Sequence, residues 1–165
     1  MSSFTKALVN IALREVGVEE VDGSNCGPRV NEYKAATVLN PKEEWPWCAA
    51  FVCWVVQQAL IKAGISETPT FTRPKTAVAY RLKTWSLAQD DTTWTKQDPG
   101  QDILPGDIIV YYFSHCGIAV SKPNPDGYVQ VVEGNTDGQG SREGGAVLAK
   151  WRKTRQIRAR IRFTV

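Results

Sequence analysis

One histidine, His115, and four cysteines give this chain its most direct route to covalent chemistry. A thiol attacks an acyl carbon only as the thiolate, and a free thiol with a pKa of about 8.5 is mostly protonated near neutral pH. A helix N-terminus and a neighbouring imidazolium both favour the anion. Cys48 meets the first condition. It opens the most apolar segment of the chain, Trp47-Cys-Ala-Ala-Phe-Val-Cys-Trp-Val-Val56, directly after Pro46. Unclaimed N–H groups in such a first turn can also receive the oxyanion of an acyl-transfer intermediate. His115, in Phe113-Ser-His-Cys-Gly-Ile-Ala-Val120, has no rival as general base. The competing readings are a buried small hydrophobe for Cys48 and a surface hairpin histidine for His115.

A general base works better when a third group fixes its tautomer. Glu133 ends the apolar run Tyr128-Val-Gln-Val-Val-Glu, and Asn135 follows two residues on. If the strand continues that far, both side chains share one face and either can orient the imidazole. Otherwise they make only turn contacts. Trp45 and Trp47 flank the nucleophile, and either line a cleft for sugar or peptide or pack beneath the helix start. Cys116 is expected in the core on the opposite strand face from His115.

The elements that must position these groups fall into two halves. Apolar spacing predicts a helix capped by Ser2 or Ser3 and stopped at Gly17, a second over Arg29–Leu39 after Pro28, and a third over Pro46–Lys62 ended by Gly64. The third carries no charge before Lys62 and should be buried nearly all round. A fourth is expected over Thr76–Ser86. Turn chemistry at Asp98-Pro99-Gly100 and Leu104-Pro105-Gly106 then introduces strand-like runs at 108–113, 116–120, 128–133, 146–150 and 157–163. Helices first and short strands afterwards predict one α+β domain over residues 1–165, with N-terminal helices packed on a C-terminal antiparallel β-sheet.

Bulk properties narrow the function classes. No apolar stretch reaches the length of a membrane span, and the N-terminus lacks a secretory signal pattern. Synthesis in the cytoplasm is therefore expected. Four reduced cysteines are expected too, with Cys26–Cys116 the least implausible disulfide. Residues 1–149 carry 13 basic and 17 acidic side chains, whereas 150–162 carry seven basic and none acidic. Within that stretch Arg158, Arg160 and Arg162 alternate with Ile157, Ala159, Ile161 and Phe163, as in a half-buried strand with a solvated basic face. Weak contact with an anionic envelope suits that face better than specific nucleic-acid recognition, for which no motif is present.

Trp47-Cys-Ala-Ala-Phe-Val52, Leu104-Pro-Gly-Asp-Ile-Ile109, His115-Cys-Gly-Ile-Ala-Val120 and Val132-Glu-Gly-Asn-Thr136 together resemble the CHAP family. These are the cysteine- and histidine-dependent amidohydrolases/peptidases, related to NlpC-type and papain-like enzymes. The resemblance extends from Gly27-Pro28 to Arg142-Glu143. It implies a papain-like fold with Cys48 as nucleophile, His115 as base and later acid, Glu133 as orienter and Asn135 assisting. It also implies cleavage of an amide bond in bacterial peptidoglycan, as N-acetylmuramoyl-L-alanine amidase or as stem or cross-bridge endopeptidase, by a phage lysin or an antibacterial effector. Some members hold calcium in an Asp-rich loop before the nucleophile. Here only Asp22-Gly-Ser-Asn25 stands upstream, so no metal or other cofactor is expected. The glutamine that papain-like enzymes place before the nucleophile is missing from Lys42–Trp47, which leaves the oxyanion to backbone N–H groups or to a distant side chain such as Tyr33. A deamidase or peptidase toxin acting on a non-wall amide and a non-catalytic polyanion-binding module are the alternatives, and a monomer is expected.

Overall fold

Four helices precede and cover a six-stranded, wholly antiparallel sheet in the computed structural model, which describes residues 1–96 and 102–165. The helices are α1 (Ser3–Arg14), α2 (Pro28–Ala35), α3 (Cys48–Ala63) and α4 (Arg81–Leu87). The strands are β1 (Thr92–Lys96), β2 (Ile108–Tyr111), β3 (Cys116–Ala119), β4 (Tyr128–Thr136), β5 (Ala146–Lys153) and β6 (Ile157–Phe163), in the spatial order β1-β6-β2-β3-β4-β5. The expected α+β class is therefore observed. The Asp98-Pro99-Gly100 turn lies outside the described residues.

The uncharged α3 is the central helix. Eleven of its residues are buried, from Cys48 to Leu60, and Gly64 closes it in the left-handed conformation at φ 68°. Burial of each large apolar side chain, such as Phe51, Val52 and Val55, stabilises the fold by roughly 1.5–3 kcal/mol before ordering costs. Close approach to the sheet depends on Gly134 of β4. A Cβ there would lie 2.7 Å from Phe51 Cβ and 2.9 Å from Trp47 Cζ3. The first turn of α3 thus rests directly on β4.

Local signals and tertiary contacts disagree at several boundaries. The second helix was expected to reach Leu39 but ends at Ala35, because the carbonyl of Ala36 accepts from Arg73 Nη1 at 2.6 Å and Val38 N–H bonds to Lys75 O. The fourth starts at Arg81 rather than Thr76, where the Thr76 hydroxyl accepts from Val78 N–H at 3.0 Å and holds a turn instead. Strand β1 was not anticipated; its polar sequence becomes a strand by pairing with β6, Thr92 opposite Phe163.

The basic face expected on β6 is divided. Ile157, Ala159, Ile161 and Phe163 are buried, as the alternation requires. The pairing with β2 shifts register at Val110/Tyr111, and Ile157 joins a different core cluster from Ile161 and Phe163. Arg158 then stacks 4.2 Å above the ring of Tyr80, whereas Arg162 makes a two-pronged ion pair with Asp107 at 2.8 and 2.7 Å. That pair anchors the Pro105-Gly106-Asp107 turn, where Gly106 sits at φ 96°, and so sets the start of β2. Among the described residues no helix is long and apolar enough to cross a membrane.

Candidate active site

Cys48 is the first residue of α3. The helix has no side-chain cap, because Trp47 stands at the capping position. Its first N–H groups consequently have no acceptor in a preceding turn. The first intrahelical bond there runs from Phe51 N–H to Trp47 O at 2.9 Å.

His115 is delivered by the β2–β3 hairpin. Ser114 adopts φ 54°, in the left-handed region, and Tyr111 N–H bonds to His115 O at 3.0 Å. This tight turn stacks the His115 ring with those of Tyr111 and Phe113, at 5.9 Å from each and within 20° of parallel. His115 Nε2 lies 3.0 Å from Glu133 Oε2, and both side chains are fully buried. Hydrogen-bonding Nε2–H to the carboxylate leaves Nδ1 as the nitrogen for Cys48, and no other group bonds to it. Gly117 makes the arrangement possible. A Cβ at that position would stand 2.8 Å from Glu133 Cγ and 2.7 Å from both Val131 Cγ1 and Val132 O.

Two further groups, neither anticipated from sequence, complete the surroundings of Glu133. The Tyr111 hydroxyl donates to Oε1 at 2.6 Å. The Arg152 guanidinium donates from Nε to Oε1 at 2.8 Å and from Nη2 to Oε2 at 2.5 Å. A buried carboxylate is tolerable only with such partners. Burial works to raise the Glu133 pKa, but Arg152 first and His115 second hold it below the ordinary carboxylate value.

Electrostatics favour a thiolate at Cys48. A hydrogen bond with Cys116 is the largest influence lowering its pKa; burial opposes this, and His115 and the Ala49 N–H add to the lowering. The pKa of His115 rises to about 9 despite burial, through the neighbouring Cys48 thiol and the Glu133 carboxylate. Cys116 shifts the other way, well above the usual thiol value, because of the neighbouring Cys48 thiol and its own burial. Cys116 is buried in the core, as expected, but its thiol lies beside Cys48 rather than on an opposite face. The reason is that His115 precedes the strand in the Ser114 turn, so strand alternation does not separate it from Cys116.

A cleft of about 340 Å³ opens over Cys48, walled by Leu39, Trp45, Val78, Tyr80, Ser114 and Arg142 among others. Trp45 is half-buried there, with its indole N–H on Asn40 O at 2.9 Å, consistent with a place in the cleft wall. Trp47 is not in the cleft: it is fully buried, and its Nε1 donates to Glu20 Oε2 at 2.9 Å. Tyr33 is likewise removed from any oxyanion role. Its hydroxyl donates to Glu15 Oε2 at 2.5 Å, and its ring packs against Trp47, Phe51 and Trp54. Two larger hollows, each of about 420 Å³, contain neither Cys48 nor His115.

Asn135 also departs from expectation. Strand β4 does extend past it, but Asn135 takes φ 55° and the register slips between Glu133 and Thr136. The two-residue alternation with Glu133 is lost. Its amide donates to Arg142 O at 3.1 Å rather than to His115, and its Oδ1 is buried without a partner. Asn135 thus supports the cleft wall through Arg142.

All four cysteines are unpaired. Cys26, the suggested partner of Cys116, instead receives Lys34 Nζ at 3.2 Å. Among the described residues no group of three or more His, Cys, Asp or Glu side chains is arranged to hold a metal ion. Asp22 and Asn25 both take positive φ in a turn.

Comparison with known proteins places this geometry in context. In structure the chain resembles endolysin LysIME-EF1, at a TM-score of 0.60 and 18% identity over 99% of this chain. It spans 65% of that endolysin's length, so the likeness is one of fold. No curated protein matches the chain. The profile of the CHAP domain matches residues 40–135, more than half of the chain and including Cys48, His115, Glu133 and Asn135, and the chain therefore belongs to the CHAP domain family.

Proposed function

We propose that the chain hydrolyses an amide bond of bacterial peptidoglycan, with Cys48 as nucleophile, His115 as general base and then acid, and Glu133 as orienter. The observation that carries this reading is a buried imidazole with one nitrogen bonded to Glu133 and the other left for a helix-start thiol that opens on a cleft. The family and the fold shared with an endolysin support the substrate class. In this reading residues 1–165 act as one catalytic domain on the cell wall, after release or delivery from the cell that makes them.

The chemistry follows from the charges. The Cys48 thiolate adds to the scissile carbonyl carbon, and unclaimed N–H groups at the start of α3 receive the developing oxyanion. His115, made imidazolium by taking the Cys48 proton, passes its Nδ1 proton to the leaving amine as the C–N bond breaks, leaving a thioester on Cys48. Neutral His115 then takes a proton from water, whose oxygen attacks the thioester. Carboxylate product and thiolate are released, and the imidazolium is restored.

The bond is either that between muramic acid and the first alanine, or one within the stem or cross-bridge. Mass spectrometry of soluble products from purified peptidoglycan decides between them, because the two cleavages expose different new termini. Release that persists in Cys48→Ala excludes the thioester route. Turnover of synthetic amides with no muropeptide release assigns the same thiol chemistry to a non-wall substrate.

A further inference from the structure

Arg152 lies on β5, beyond the matched segment 40–135, within the stretch whose charge pattern alone suggests a basic tail. Its environment is that of an internal group: the residue is 7% exposed. Two nitrogens grip Glu133. Nη2 also donates to Gly140 O at 3.1 Å, and the plane lies 5.3 Å from the ring centres of both Tyr111 and Phe113. Gly140 is shaped to this contact, since a Cβ there would stand 2.9 Å from Nη1. An arginine buried at this desolvation cost, with its fork matched to one carboxylate, is held for orientation as well as charge.

We propose that Arg152 is a positioning residue for the Cys48–His115 pair, clamping Glu133 in the one orientation that keeps the proton on His115 Nε2 and leaves Nδ1 for the thiol. The inference rests on the Cys–His reading above, but not on the identity of the substrate. Each oxygen of Glu133 takes two bonds: Oε1 from Tyr111 and Arg152, Oε2 from Arg152 and His115. The terminal torsion of a glutamate is otherwise broad, so without the fork the carboxylate can turn or take up a proton. Either change withdraws the acceptor from His115 Nε2–H and weakens the imidazolium beside Cys48. The ionisable groups around Glu133 are Tyr111 from β2, His115 from the hairpin, Cys116 from β3 and Arg152 from β5. Of these, only Arg152 carries a positive charge at every working pH, and lysine cannot reproduce its planar fork.

The test is the pH dependence of iodoacetamide alkylation at Cys48, followed by peptide mass spectrometry on the full chain, which needs no substrate. In Arg152→Met the acid limb of the profile should move upward by about one pH unit, with about tenfold slower alkylation at mildly acidic pH. Arg152→Lys, which keeps the charge without the fork, should fall between Met and wild type. In a Glu133→Gln background, adding Arg152→Met should bring no further shift beyond about twofold, because the effect travels through the carboxylate. Superimposed wild-type and Arg152→Met profiles overturn the proposal. So does an additional shift in the double variant. If Arg152→Met does not fold, the comparison of Glu133→Gln with the doubly neutralised Glu133→Gln/Arg152→Met decides by the same criterion. Loss of muropeptide release with wild-type alkylation points to the substrate assignment instead.

Discussion

Cys48 and Cys53 occupy the first and second turns of the same helix, and both are buried, yet their thiols are driven in opposite directions. Burial pushes Cys53 up to about 12, and its sulfur finds only a backbone carbonyl, Thr76 O, at 3.4 Å. Cys48 suffers the same desolvation and is nevertheless lowered, because Cys116, His115 and the Ala49 N–H all favour its anion. Burial alone therefore does not set the direction in which a thiol's pKa moves. The partners do, and all three stand at the N-terminal end of α3, where the sheet brings the β2–β3 hairpin against the helix.

The sharpest way to break this comparison is to exchange the roles of the two cysteines. Cys48→Ala should lower product release by at least about 10⁴-fold, while Cys53→Ala should leave turnover within about twofold and cost about 1 kcal/mol of stability. Equal losses at the two positions in product-release assays would end the argument that the first turn is special. Next in size, Glu133→Gln should reduce turnover by roughly 10²-fold and should also lower the thermal midpoint, because the buried Arg152 charge loses its carboxylate.

The pH profile sharpens the comparison through its signs. In the proposed mechanism thiolate–imidazolium is the active form, so activity should rise with pH through the lowered Cys48 pKa and fall as His115 deprotonates near 9. A single rising limb near the ordinary thiol value of about 8.5, read from kcat/KM, would mean that the partners around Cys48 do not favour its anion. Smaller effects should separate packing from chemistry. Gly117→Ala forces a methyl against Glu133 and the β4 backbone, and should cost about 1–3 kcal/mol in denaturant unfolding along with some activity. Trp47→Phe loses the bond to Glu20 and should lower stability by about 1 kcal/mol with KM unchanged, whereas Trp45→Ala should raise KM with stability nearly unaffected.

Much of this site was legible because it is written in local signals. An apolar, charge-free segment beginning with cysteine reads as a buried helix with a thiol at its start, and that is how α3 lies. The lone histidine before a strand and the glutamate ending the next apolar run also meet in space. Asn135 was misjudged because strand alternation holds only while φ stays extended, and its left-handed conformation ends it. Tyr33 and Trp47 were candidates for the cleft because aromatic residues with polar handles suit both ligand sites and cores. Glu15 and Glu20, 18 and 27 residues away from them, decide for the core. Tyr111 passed as one more apolar residue in a strand, and Arg152 as one of the seven basic side chains of residues 150–162.

By itself the sequence determined the helices-then-strands order, the central helix, and the residue types of the proposed Cys–His site. Those properties depend on periodicity and on neighbours within a few turns, which the chain carries in its linear pattern. Tertiary structure alone decided which groups share Glu133, which thiol faces Cys48, and which aromatic residue borders the cleft. Each of those outcomes requires closing a loop of many residues onto a dehydrated site. There, a single donor or a missing Cβ, such as Arg152 or Gly117, settles the arrangement through energies that no local pattern encodes.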